Sequence, residues 1–404
     1  MSQLHHIQTL EVQITGGEPT QVHRLQQELG QVIQERIVPL IDRFCSETCD
    51  PDTLIRLDTL LLDAGELDGR YFHRDLVAQV RRRLQAQLIQ AIRKQQGATD
   101  RVDTQAELLD FFVQTGALPW WADGSEKTAV EHAVAFLREK APSRLRQQLL
   151  DYLRRQEYTK RLAYTLPSPL LMQVLRLLQT NATASEQALI ATLEGLLAAP
   201  SEKGQLSIHK KAPAAGWSPN KTEPKAKNPE TDLALSAVDE LYVYNAGLVL
   251  LWSFLPRFFE TVELVKDKQF VEGPISANKA AALLQYLADG NTEPPEYQLV
   301  LNKALCGLPL EMVFEPPEAP APEILAAADA LLEAVITHAT SLGKISVDGF
   351  RRSFLQRKGI LSFQDGHWLL QVERQSFDIL LDQLPWSFRI VKLPWMEYVL
   401  QVEW

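Results

Sequence analysis

Polar and apolar positions change rhythm along the chain, and the changes mark its elements. Leu10, Val12 and Ile14 alternate with Thr9, Glu11, Gln13 and Thr15, a period of two that predicts a half-buried strand. Gly16-Gly17 ends it. Apolar residues then recur at Val22, Leu25, Leu29, Ile33, Ile37, Leu40 and Phe44, the spacing of an amphipathic helix. Pro39 sits inside that pattern, where its missing N–H and its ring should interrupt the helix. After the break at Cys49-Asp50-Pro51, LIRLDTLLLDAGEL at 54–67 reads as a second strand running into a turn. Phe72, Leu76, Val80, Leu84, Leu88 and Ile92 form the stripe of a second helix, with Arg81, Arg82 and Arg83 mostly solvated. Residues 1–97 therefore read as a small α/β unit.

Residues 98–199 show helical spacing without strand alternation, from AELLDFFVQTGALPWW at 106–121 through amphipathic runs near 127–158 and 167–198. They predict a helical domain. At 200–232 Pro, Lys, Ser and Asn replace the apolar residues, so this stretch reads as a disordered linker. The remainder, 233–404, mixes both periods. A Pro-rich interruption at 315–323 reads as extended, and DGFRRSFLQRKG at 348–359 reads as a helix closed by Gly359. ILSF and WLLQVE then flank QDGH, in which Asp365-Gly366 is a hairpin turn signal. Tyr398, Leu400, Val402 and Trp404 alternate with Val399, Gln401 and Glu403, predicting a docked terminal strand. The expected fold class is α+β and mainly α-helical, the C-terminal domain carrying a β-hairpin in an arrangement compatible with a winged helix.

Charge and cysteine content narrow the function classes. A formal net charge of −10 disfavours non-specific binding to nucleic acid or anionic lipid. Arg351, Arg352, Arg357 and Lys358 precede a hairpin as in a winged-helix reader. The overall acidity and the interleaved Phe350, Phe354 and Leu355 argue instead for a core helix, so no nucleic acid is expected as a partner. Three cysteines, Cys45, Cys49 and Cys306, have no framework spacing and suit a reducing, cytoplasmic setting. The longest apolar run, 246–255, is about half of a membrane span, so no transmembrane segment is expected.

Catalytic constellations are lacking. There is no Gly-rich phosphate loop followed by Lys-Ser/Thr, no HExxH, no CxxC pair and no EF-hand loop. Cys45 and Cys49 stand one helical turn apart with no His or Cys cluster to complete a zinc site, and His5-His6 point to opposite faces of a strand. Asn245 in VYNAGLVLL reads as a helix-start residue. The sequence thus predicts no enzyme, no cofactor and no metal. Leu301, Leu305, Cys306 and Leu308 should pack, with Gly307 ending their helix. In LPWW and LPWM the prolines fix turns and the tryptophans read first as buried area that holds the fold; as the alternative, Trp120, Trp121, Trp386 and Trp395 are the candidate partner-docking residues, because a large exposed indole is costly unless a partner covers it.

Four blocks occur in order: IRLDTLLLDAGEL; FFVQTGALPWW; LLWSFLPRFFETVELV with AALLQYLADG and LNKALCGLPLE; and FLQRKGIL…WLLQVERQSFDILLDQLPWSFRIVKLPWMEYVLQVEW. Together they resemble the contractile injection system tape measure protein family. The resemblance implies a structural or assembly part in a phage-tail-like particle, through tube-length control or tube-associated assembly. It also implies tube, baseplate or terminator proteins as partners and a cytoplasmic location in an intracellular particle. A dissociable assembly chaperone or regulator of the same particle is the alternative. A ruler works by contour length, about 1.5 Å per residue of continuous helix, and 23 prolines exclude one long rod, so a compact assembly factor fits the sequence better than a literal measure.

Overall fold

In the computed structural model, the predicted stripe of the Phe72–Lys94 helix closes the N-terminal core. Leu29, Ile37, Phe72, Leu76, Val80 and Leu84 are buried together, with Leu40, Ile41 and Phe44 of the Val38–Thr48 helix packed against them. The described residues are 29–30, 32–48, 53–54, 57, 60–65, 67, 72–94, 99–119, 121–122, 128–198 and 240–404, with Ile7, Leu10, Val12 and Gln13. The first predicted strand, 9–15, lies largely outside them, as does the linker at 200–232. The chain divides into two compact units, residues 1–105 and 106–404.

Pro39 acts just upstream of itself. The turn Ile33–Ile37 is a π-helix closed by the Val38 amide on the Ile33 carbonyl, a widening of the kind that accommodates a break in the ladder. The second predicted strand is corrected. Among the described residues of this stretch only Thr53–Leu54 (β1) pairs, antiparallel with Thr99–Asp100 (β2), and residues 60–65 carry no strand assignment. The alternation survives in the side chains: Leu60, Leu62 and Ala64 pack on the helices while Leu61 is 80% exposed. A period of two reports which way side chains face, and a helical surface can receive them as a sheet would.

The second unit opens with helices Arg101–Thr115, Ala129–Lys140, Pro142–Tyr152, Gln156–Thr165, Ser168–Gln179 and Ala184–Ala198. The Pro142–Tyr152 helix starts on proline and the Ser168–Gln179 helix has Pro169 second, positions where no ladder amide is lost. Residues 240–404 place a five-stranded sheet beside the Pro274–Asp289 and Pro322–His338 helices. Its order is Leu241–Val243 (β3), Gly359–Gln364 (β6), His367–Val372 (β7), Leu400–Glu403 (β9) and Ile390–Val391 (β8). The β7–β9 pair is parallel and the rest antiparallel. A separate ribbon pairs Val265–Lys266 (β4) with Gln269–Phe270 (β5). The hairpin signal holds: Asp365 and Gly366 have φ of 49° and 79°, as a type I′ turn requires. That hairpin supplies two inner strands of the sheet.

The 348–359 helix is shorter than its sequence suggests. Regular helix covers Val347–Phe350, a π turn follows over Arg351–Leu355, and Gly359 opens β6. A Cβ at Gly359 would lie 2.9 Å from the Gln371 carbonyl oxygen, so this glycine serves strand approach and not a helix cap. The same π turn fits the fully buried segment Ala246–Leu251 at one point. A Cβ on Gly247 would lie 1.7 Å from the Phe354 carbonyl oxygen, and backbone on both sides leaves nothing flexible to yield. Gly247→Ala is expected to destabilise the second unit by at least about 3 kcal/mol, the upper range for overpacking, measured as a lowered urea midpoint.

Candidate functional site

Two of the recognisable sequence blocks, FFVQTGALPWW and LNKALCGLPLE, meet inside the second unit at a buried ionic centre. Arg161, from the Gln156–Thr165 helix, is 1% exposed, and Glu296 and Lys303 are 4% and 2% exposed. Arg161 Nε donates to Glu296 Oε2 at 3.0 Å, and Lys303 Nζ to Glu296 Oε1 at 2.6 Å. The remaining donors find main-chain acceptors. Arg161 reaches the carbonyls of Val113, Gln114 and Glu311, and Lys303 those of Leu310 and Met312. Burial pushes the Lys303 ammonium below its ordinary pKa against the pull of Glu296. Gly116, at φ +75°, lies so close that a Cβ would stand 2.5 Å from Glu296 Oε1. The centre therefore pins the helical layer to residues 296–312 with one carboxylate between two cations.

Neighbouring polar residues do similar work. Asn245 precedes the Ala246–Leu251 segment as expected, yet its side chain makes no cap bond. Its Nδ2 instead donates to Gln285 Oε1 at 2.7 Å and Asn302 Oδ1 at 2.6 Å, a buried amide cluster. Arg357 grips Asp378 through both guanidinium ends, at 2.6 and 2.8 Å. It also lies 5.5 Å from the Phe377 ring centroid and 5.2 Å from that of Trp404, whose indole N–H donates to Asp378 at 2.9 Å. Burial would raise Asp378, but Arg357, the Gln375 amide and Trp404 together hold it below its ordinary value. Arg351 is likewise engaged, with Asp329 at 2.8 Å and over the Tyr286 ring. Two of the four basic residues before the hairpin are thus internal braces, which leaves Arg352 and Lys358 exposed.

The candidate docking tryptophans separate on inspection. Trp395 is half-buried, donates to the Leu305 carbonyl at 2.9 Å and packs with Phe259 and Phe270. Gly307, at φ +67°, leaves room for the Trp395 backbone oxygen, which a Cβ would meet at 2.5 Å. Trp386 is also half-buried, donates to the Leu250 carbonyl at 3.0 Å and stacks edge-on with Phe254. Trp121 is half-buried in the turn after Pro119, and Trp120 lies outside the described residues. Two indoles are thus fixed inward by backbone acceptors.

Among the described residues the exposed aromatic side chains are Tyr164, Phe363, Phe377 and Tyr398, and two of these lie together. Phe363 is 44% and Tyr398 39% exposed, with Trp368 half-buried beside them. The Phe363 ring centroid is 4.9 Å from that of Trp368 and 4.9 Å from that of Tyr398. Phe363 and Trp368 are directly opposed across the hairpin. The signal available in sequence was an aromatic pair flanking Asp365-Gly366 at the turn end, where Trp368 still packs against the core and Phe363 is exposed. Tyr398 gave no such sign. Among the described residues, no group of three or more His, Cys, Asp or Glu could hold a metal ion, and no helix is long and apolar enough to cross a membrane.

This is an α+β protein, mainly α-helical, whose buried polar side chains join its layers. It belongs to the contractile injection system tape measure protein family, which matches residues 4–207 and 197–404. No curated protein and no solved structure matches the chain.

Glu296→Gln keeps the shape of the ionic centre and removes its only carboxylate, stranding two buried cations. It should cost about 3–5 kcal/mol, read as a fall in the urea midpoint. The Asp378 pair makes a pH prediction. Its lowered folded pKa gives a contribution complete above the ordinary value of 3.8 and lost as pH falls through the folded value. The melting-temperature gap between the native chain and Asp378→Asn should therefore be constant near neutrality and shrink below that value.

Proposed function

We propose that this chain is a structural assembly component of a phage-tail-like contractile injection particle, acting on tube assembly as a compact factor rather than as an extended rod. The family match across both segments of the chain carries the reading. Each of the two units is compact among the described elements. The longest helix, Phe72–Lys94, has 23 residues, about 35 Å of contour at 1.5 Å per residue. The larger unit is bound by an ionic centre, an amide cluster and two indole clasps, so drawing it out along a lumen would expose all of them. Tube, baseplate or terminator subunits are the proposed partners, in a cytoplasmic particle.

A dissociable chaperone of the same particle uses the same compactness and differs in whether the protein remains after assembly. Mass spectrometry of purified particles, paired with electron microscopy of a strain lacking the gene, separates the two. A retained component is expected at fixed low copy number, and its loss should give tubes of uncontrolled length. Absence from mature particles, with loss blocking assembly, would instead identify a chaperone. Normal particles in the deletion strain would remove both readings.

A further inference from the structure

The second unit twice solves the same recognition problem internally. Arg357 sits between the rings of Phe377 and Trp404 with Asp378 as counter-charge, and Arg351 lies over Tyr286 with Asp329. In each case an aromatic face and a carboxylate together hold a guanidinium, because the ring presents negative charge on its face and the carboxylate completes the neutralisation.

The same ingredients recur on the surface at the tip of the hairpin. Along one face of the hairpin the opposed pairs are Gly359 with Val372, Leu361 with Leu370, and Phe363 with Trp368. The first two are buried, and the third runs past the end of the core with Phe363 exposed. Tyr398 extends the pair to three rings, meeting Phe363 at 76°. Asp365 lies in the turn joining Phe363 to Trp368, and Glu397 adjoins Tyr398; both are exposed. Glu397, by its charge first, raises the Tyr398 phenol above its ordinary pKa. Lys392 has its Nζ on the Glu397 carbonyl at 2.8 Å. Among the described residues no Arg or Lys lies over these three rings, in contrast to both internal sites.

We propose that Phe363, Trp368 and Tyr398, with Asp365 and Glu397, form a docking surface for an arginine-bearing segment of a partner protein. This gives the assembly role a partner chemistry, and rests on that reading only for the partner being a protein. The acidic net charge of the chain, −10, draws a basic segment inward, and the rings select a weakly hydrated guanidinium once it arrives.

The test uses the purified full chain and fluorescence anisotropy with a short labelled peptide of alternating arginine and alanine. A second peptide carries glutamine at every arginine position. Asp365→Asn with Glu397→Gln removes the charge without disturbing the turn, because Asn-Gly also suits type I′ geometry. Phe363→Leu with Tyr398→Leu removes the rings while keeping apolar bulk. Each pair should weaken the arginine peptide by about tenfold or more, with melting curves unchanged. Glu139→Gln with Asp151→Asn, on the helical layer, should leave it alone. The proposal is overturned if the arginine peptide does not bind, if the glutamine peptide binds as well, or if the helical-layer pair weakens binding equally. It is also overturned if the patch variants alter only the oligomeric state, which would make this face a self-contact. Since the particle takes no part in the measurement, failure here leaves the assembly role to the deletion strain.

Discussion

Glu296 is a single carboxylate answering two buried cations contributed from different layers, and the second unit is organised around that asymmetry. A charge taken out of water is tolerated only when every donor and acceptor around it is matched. Here the matching is done by main-chain carbonyls of the chain segments that must come together: Val113 and Gln114 from the end of one helix, Leu310, Glu311 and Met312 from a loop far along the sequence. Hydrophobic contact alone would accept many arrangements of a helical layer on an α+β core. Directional bonds to five carbonyls accept very few, so the ionic centre contributes uniqueness of packing more than raw stability.

The aromatic residues extend this logic to the C-terminal segment. Trp386 and Trp395 each bury a large ring and hand the indole N–H to a carbonyl at the end of another element. Trp404 does the same with a side-chain carboxylate. Residues 386–404 contain little regular structure of their own, and these anchors define their path where a backbone ladder does not. The two-residue strand β8 could not hold that path alone.

Helices were legible from the sequence because their stripes carry redundant information: five residues of the 72–94 stripe are buried as their spacing requires. The hairpin was legible because Asp-Gly selects one turn type. Strand pairing at 54–67 was not, since alternation reports facing without naming a partner. The ionic centre was invisible for a different reason. Arg161, Glu296 and Lys303 look like ordinary surface residues in any local window, and nothing in the spacing of positions 161, 296 and 303 brings them together. Tryptophan content shows where large area is available, and at Trp386 and Trp395 a backbone carbonyl waiting inside turns the ring inward.

The five-stranded sheet ends on one side in a strand of three residues and on the other in a strand of two. Borders so brief offer hardly any unpaired main chain for a neighbouring polypeptide to ladder onto. Contact with another chain along those two borders is therefore left to side chains, which can let go where a backbone ladder would hold.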